Sequence, residues 1–236
     1  MNTGRVLLGV ILCVFLSVVF VASLYLWVKF DPKLKRLNRD HPRVIKLRTI
    51  SVVLASLVAC SVTYMFSGSL GIKTTNVGFL AMTAAQTFLL MLGPVVDQWS
   101  RLTKVPSLNL QFGRTVVVAP IFEELVFRAC FHQILVTSGL NDFVASSVSP
   151  FFFALAHVHH HVGRNSPMQI VSQIVHTCLF GWLGGYFLIS RSLWDAILAH
   201  AICNYIGLPS DSTKSPRIRI SLYAVGLVTF LGSIFL

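Results

Sequence analysis

The stretch Ala119-Pro-Ile-Phe-Glu-Glu-Leu-Val-Phe-Arg128 sets two adjacent carboxylates and an arginine inside a run that is otherwise long and apolar. A charge at the centre of a transmembrane segment costs on the order of 2.5 to 3.5 kcal/mol per residue on insertion scales. Such residues therefore pair, turn away from lipid and mark function. Any fold for this chain has to supply a bundle interior for Glu123, Glu124 and Arg128.

The surrounding composition points to a membrane for that interior. The chain is 55% hydrophobic and 11% charged, against about 25% charged in ordinary soluble domains, and its mean hydropathy is +0.75. No Gly/Ser-rich, Pro-rich or acidic linker divides it and no internal repeat is visible, so residues 1–236 read as a single membrane domain. The formal charge of +11 raises nucleic acid as a partner, but eight of the 19 Lys and Arg lie between Lys29 and Arg48. That is the distribution of a juxtamembrane loop facing anionic lipid, so no nucleic-acid partner is expected. Cys13, Cys60, Cys130, Cys178 and Cys203 all fall in apolar runs without CxxC spacing, which indicates packing residues rather than disulfides or a thiolate metal site.

Eight apolar stretches are long enough to be helices. Val6 to Val28 carries no charge and reads as an uncleaved first span, because its apolar core is too long for a signal-peptide core. The others are Leu47 to Phe66, Val77 to Val96, Thr115 to Val136, Phe143 to His157, Met168 to Ile189, Leu193 to Leu208 and Ile220 to Leu236. Pro120 is expected to bend or break the fourth. Gly181, Gly184 and Gly185 should let the sixth approach a neighbour closely. The fold class is thus all-α and polytopic, with about eight transmembrane helices around an intramembrane cavity. Only Arg5, Lys73, Arg128 and Arg191 fall outside the loops that follow spans one, three, five and seven. The positive-inside rule then places those loops, and the open side of the cavity, in the cytosol.

Helical spacing divides the central charges. Glu124 and Arg128 are four apart and share a face, within reach of an ion pair, whereas Glu123 points about 100° away and has no cation on its own helix. Glu123 is the freer carboxylate and a candidate general base toward water. His157 closes Phe153-Ala-Leu-Ala-His at the cytosolic edge of the fifth span, where it either orients that water or is merely solvated. His200 and Asn204 share a face of the seventh span, as oxyanion donors or as an interhelical polar clamp. Gln173 and His176 read as simple helix contacts. His159, His160 and His161 are a weak metal signal without an HExxH pattern. A cavity collecting Glu123, His157, His200 and Asn204 would suit amide hydrolysis by directly activated water. Two other readings stay open: a zinc peptidase with Glu123, His157 and His200 as ligands, and a transporter or scaffold whose charges line a path.

Glu123-Glu-Leu-Val-Phe-Arg128, Phe153-Ala-Leu-Ala-His157 and His200-Ala-Ile-Cys-Asn204 closely resemble the EExxxR, FxxxH and HxxxN motifs of the type II CAAX prenyl endopeptidases, the Ras-converting enzymes, within the larger family of glutamate-dependent intramembrane CAAX proteases. The resemblance covers residues 114–209, the expected catalytic core. It implies an eight-helix endoplasmic reticulum protease that removes the last three residues from farnesylated or geranylgeranylated CAAX proteins such as Ras-like small GTPases, with no cofactor and no metal. In that resemblance Glu123 and His157 activate the water, His200 and Asn204 stabilise the oxyanion, and Glu124 and Arg128 support the site.

Overall fold

Polar side chains decide where the helices begin. Asn76 Oδ1 accepts the N–H of Phe79 (2.9 Å), Asn141 Oδ1 that of Val144 (2.8 Å), and Ser192 Oγ those of Trp194 and Asp195. Each supplies an acceptor to an amide that the first helical turn leaves unpaired. In the computed structural model, which describes residues 2–158, 167–207 and 216–234, every long element is a helix and no strand occurs among the described residues. The long helices are α1 (Thr3–Ser23), α2 (Pro42–Ser67), α3 (Val77–Leu90), α4 (residues 110–137), α5 (Asp142–His157), α6 (Pro167–Ser190), α7 (Leu193–Ile206) and α8 (Pro216–Ile234).

These follow the eight apolar stretches, with boundaries moved for local reasons. α1 stops at Ser23 and a short helix, Leu26–Phe30, follows a turn. α2 starts five residues early, because Pro42 sits in its first turn and His41 Nδ1 accepts the N–H of Arg43. α3 ends at Leu90, and Pro94, which has no N–H to offer, lies in the first turn of a separate helix, Leu92–Asp97. Leu208, the expected end of the seventh span, and His159, His160 and His161 lie outside the described residues.

α4 is the central rod. Val126 to Phe131, Ile134 and Leu135 are buried, and Phe127 and Phe131 meet Phe20 of α1 and Phe152 and Phe153 of α5 with ring centroids between 5.2 and 5.6 Å apart. α5 and α6 pack closely because Gly181 faces Pro150; a Cβ at Gly181 would lie 2.6 Å from the proline Cβ. Trp182 Nε1–H donates to the carbonyl of Ser147 across the same contact (3.0 Å).

A second polar cluster ties α3, α7 and α8. The buried Asp195 accepts hydroxyls from Thr75 (2.8 Å), Thr83 (2.7 Å) and Ser192 (2.6 Å). Arg191 donates to Thr83 Oγ1 and, at 2.7 Å, to Gln86 Oε1, while Gln86 Nε2 donates to the carbonyl of Ser233 (2.9 Å).

The outer surface is apolar. Leu7, Ile11, Phe15 and Val18 of α1 and Leu54, Leu57 and Met65 of α2 are exposed, more than a water-facing surface carries in one patch. α1 and α2, of 21 and 26 residues, are long and apolar enough to cross a bilayer. This is an all-helical membrane protein.

Candidate active site

α4 continues through Pro120, and the local irregularity expected there takes the form of a wide turn just ahead of it. Ahead of the proline, residues Gly113–Val118 wind with five-residue spacing, and the N–H of Ala119 bonds the carbonyl of Arg114. In that register residue 120 would address Thr115, and proline has no N–H to give. Asn204 of α7 supplies the missing donor: its Nδ2 donates to the Thr115 carbonyl at 2.9 Å. A second wide turn, Leu125–Cys130, follows directly after the glutamates. Such turns recur at functional sites because they re-aim side chains without ending the helix.

Between these two wide turns the glutamates take different surroundings. Glu124 and Arg128 are both fully buried, with Glu124 Oε2 3.1 Å from Arg128 Nε. The guanidinium carbon lies 4.0 Å from the centroid of the Phe153 ring, whose negative face compensates part of the desolvation of a cation. Its Nη1 and Nη2 make no hydrogen bond among the described residues. Gly184 of α6 closes the other side; a Cβ there would meet Glu124 Oε2 at 3.0 Å and Arg128 Nε at 3.2 Å.

His200 joins the two glutamates. Its Nδ1 donates to Glu124 Oε1 at 2.7 Å, and its Nε2 lies 3.8 Å from Glu123 Oε2. Phe180 packs edge-on against the imidazole with centroids 4.6 Å apart. The side chains thus form a line, Arg128, Glu124, His200, Glu123, running from a closed interior to a carboxylate that keeps 20% of its surface.

Glu123 and His157 face one cavity of about 40 Å³, walled by Phe20 and Leu24 of the α1 end, Phe127 and Ala156. That volume holds one or two waters. His157 Nδ1 lies 2.8 Å from the carbonyl of Phe153. A carbonyl only accepts, so in the neutral ring Nδ1 carries the hydrogen and Nε2 the lone pair.

Asn204 stands apart from that cavity. It lines a groove of about 360 Å³ between residues 101–109, the start of α4 and the end of α7. The expected single cavity holding Glu123, His157, His200 and Asn204 therefore divides in two, with His200 buried between. Among the described residues Gln173 and His176 bond along α6, to Thr177 (2.8 Å) and to the Ser172 carbonyl (2.7 Å). Among the described residues no three His, Cys, Asp or Glu side chains are gathered as a metal-ligand set. Sequence reasoning missed Gly184, Phe180 and Thr115 as neighbours of the site. The glycine stripe was visible as a packing signal, but nothing in one sequence shows what it packs on.

The family model described as "Type II CAAX prenyl endopeptidase Rce1-like" matches residues 105–206. The chain is 31% identical over 241 residues to the probable CAAX prenyl protease 2 of Schizosaccharomyces pombe, covering 92% of this chain and 89% of that one. It is 28% identical to CAAX prenyl protease 2 of Homo sapiens, covering 93% and 78%, and 26% identical to that of Caenorhabditis elegans, covering 84% and 86%. No solved structure matches the chain.

Proposed function

The chain belongs to the CAAX prenyl protease 2 family, the type II CAAX prenyl endopeptidases, and from that premise we propose how its buried side chains divide the work of cutting a prenylated CAAX protein. It is an endopeptidase that removes the C-terminal tripeptide. The observation that carries the mechanism is the placing of His200 between the two glutamates, 2.7 Å from Glu124 and 3.8 Å from Glu123.

Water held in the cavity shared by Glu123 and His157 gives its proton to Glu123 and attacks the carbonyl of the prenylated cysteine, with His157 Nε2 orienting it. Negative charge grows on the carbonyl oxygen. The substrate bridges the cavity and the groove, so that His200 and the second amide hydrogen of Asn204, the first being held by Thr115, stabilise it. The C–N bond breaks, the proton passes from Glu123 to the leaving nitrogen, and the products are a prenylcysteine carboxylate and a free tripeptide. Glu124 and Arg128 are positioning residues: Glu124 fixes the imidazole, and Arg128 holds Glu124 in place.

The eight helices all lie in the membrane on this reading, with residues 114–209 as the catalytic core of the single domain. The basic loop after α1 faces the cytosol, and the membrane is the endoplasmic reticulum. Farnesylated or geranylgeranylated proteins of the Ras-like small GTPase type are the partners, their prenyl chains staying in lipid. Incubation of the purified protein with a farnesylated CAAX peptide should release the tripeptide. Failure to release it, under conditions in which a related enzyme does, would leave the transporter or scaffold reading in its place.

A further inference from the structure

The groove beside Asn204 has a wall that the hydrolytic steps do not use. Arg101 and Lys104 line it, with Asn109, Phe112, Thr115 and Tyr205, and no acidic residue does so among the described residues. Arg101 is already committed. Its Nη2 donates to the carbonyls of Tyr205 (2.9 Å) and Ile206 at the end of α7, and its Nε to Gln98 Oε1 (3.2 Å). Lys104 makes no side-chain hydrogen bond or ion pair with any described residue.

Length connects this wall to the scissile bond. Thr115, in the groove, and Glu123, in the cavity, are eight residues apart on one helix, a rise of about 12 Å. Three residues of extended peptide span about 10 to 11 Å. A substrate whose cysteine carbonyl lies against Glu123 and whose chain runs back along α4 past Asn204 brings its last residue level with Thr115, in the groove that Lys104 lines. The side chains of the three departing residues differ between CAAX proteins; the terminal carboxylate is common to all of them.

We propose that this groove seats the leaving tripeptide and that Lys104 binds its terminal carboxylate, so that the enzyme counts three residues from the chain end. The apolar Val105, Pro106, Phe112 and Val116 take the intervening side chains, and the ammonium supplies a charge-assisted contact that only a free C-terminus can complete. The proposal rests on the endopeptidase reading.

The test uses the full-length protein and one farnesylated CAAX peptide in two forms, ending in the free acid or in a carboxamide. The parent should prefer the acid by roughly tenfold in kcat/KM, the size of effect one charged hydrogen bond supplies, with the difference in KM rather than kcat. In Lys104→Met that preference should fall to within about twofold, and Lys104→Arg should restore it. Equal use of acid and carboxamide by the parent, or an undiminished preference in Lys104→Met, would overturn the carboxylate contact while leaving the hydrolase intact. Cleavage of neither form by the parent would overturn the endopeptidase reading itself, and this proposal with it.

Discussion

His200 of α7 donates Nδ1–H to Glu124 Oε1 of α4 across 2.7 Å, and the same carboxylate holds Arg128 through its other oxygen at 3.1 Å. One buried glutamate thus anchors both the cation below it and the imidazole above it. Glu124→Gln removes the charge that both rely on. Breaking a buried pair costs about 3 to 5 kcal/mol, so a drop in thermal midpoint and yield is expected together with lost activity. A variant that melts with the parent would show that Glu124 is not the anchor.

Glu123→Gln should behave differently. Glu123 keeps 20% of its surface and is 3.8 Å from His200, so the fold loses little when its charge goes. Cleavage of a prenylated peptide should fall by at least about 100-fold, the lower end of what general base catalysis supplies, while the melting curve stays within about 1 °C of the parent. Comparable turnover in both proteins would remove Glu123 from the role of base.

Asn204 carries a structural duty separable from its catalytic one. Asn204→Ala strips the part-buried Thr115 carbonyl of its donor, at about 0.5 to 1.5 kcal/mol for one hydrogen bond. Pro120→Ala puts an N–H back into the helix at the position from which Thr115 can be reached. The stability loss from Asn204→Ala should therefore shrink in the Pro120→Ala background, whereas the activity loss should not. Equal stability losses in the two backgrounds would mean that the amide does not stand in for the proline.

Gly181→Ala tests the contact between α5 and α6. Its Cβ would fall 2.6 Å from Pro150 Cβ and 3.1 Å from the backbone Cα, against atoms that cannot swing aside. A loss of about 1 to 3 kcal/mol is expected from this overpacking, measured as reduced resistance to denaturant. An unchanged midpoint would show that the helices can part at that point without loss.

Arg114 Nη1 and Asp40 Oδ1 make a 2.8 Å ion pair that joins the basic loop to α4. The Arg114 hydrogen bond, with charge from Arg114 and Arg39, holds the Asp40 carboxyl below its ordinary range. A carboxyl lowered in this way contributes stability above its unfolded value and loses it as pH falls through the lowered one. Asp40 is 36% exposed, so the contribution is below about 1 kcal/mol. The small gap in thermal midpoint between the parent and Asp40→Asn at about pH 7 should close near pH 3. A gap of constant size would rule the ion pair out as its source.

Much of this architecture was legible because lipid makes polar residues informative. Glu124 and Arg128, four apart in an apolar run, could be paired from spacing alone, and the structure brings them to 3.1 Å. The eight apolar stretches gave the helices, since each needs its length in nonpolar residues to be buried or to face lipid. Contacts between helices were less legible. His200 was readable as a polar face of α7 but not as the link between the two glutamates, because that depends on how α7 crosses α4. Pro120 carried a signal for a bend or break, and the five-residue winding and the Asn204 amide are how the helix accommodates it. The separation of Asn204 from the Glu123 and His157 cavity depends on the same crossing.

The cluster around Asp195 and Arg191 has a consequence for how the protein is made. Thr83 and Gln86 are synthesised in α3, yet their partners lie 105 to 147 residues further along the chain, at Arg191, Asp195 and Ser233. Until those residues are made, the Thr83 hydroxyl and the Gln86 amide lack the partners they hold in the folded chain. A chain truncated before α8 would leave Gln86 without the Ser233 carbonyl, and the third helix would stay exposed as a mark of incomplete assembly.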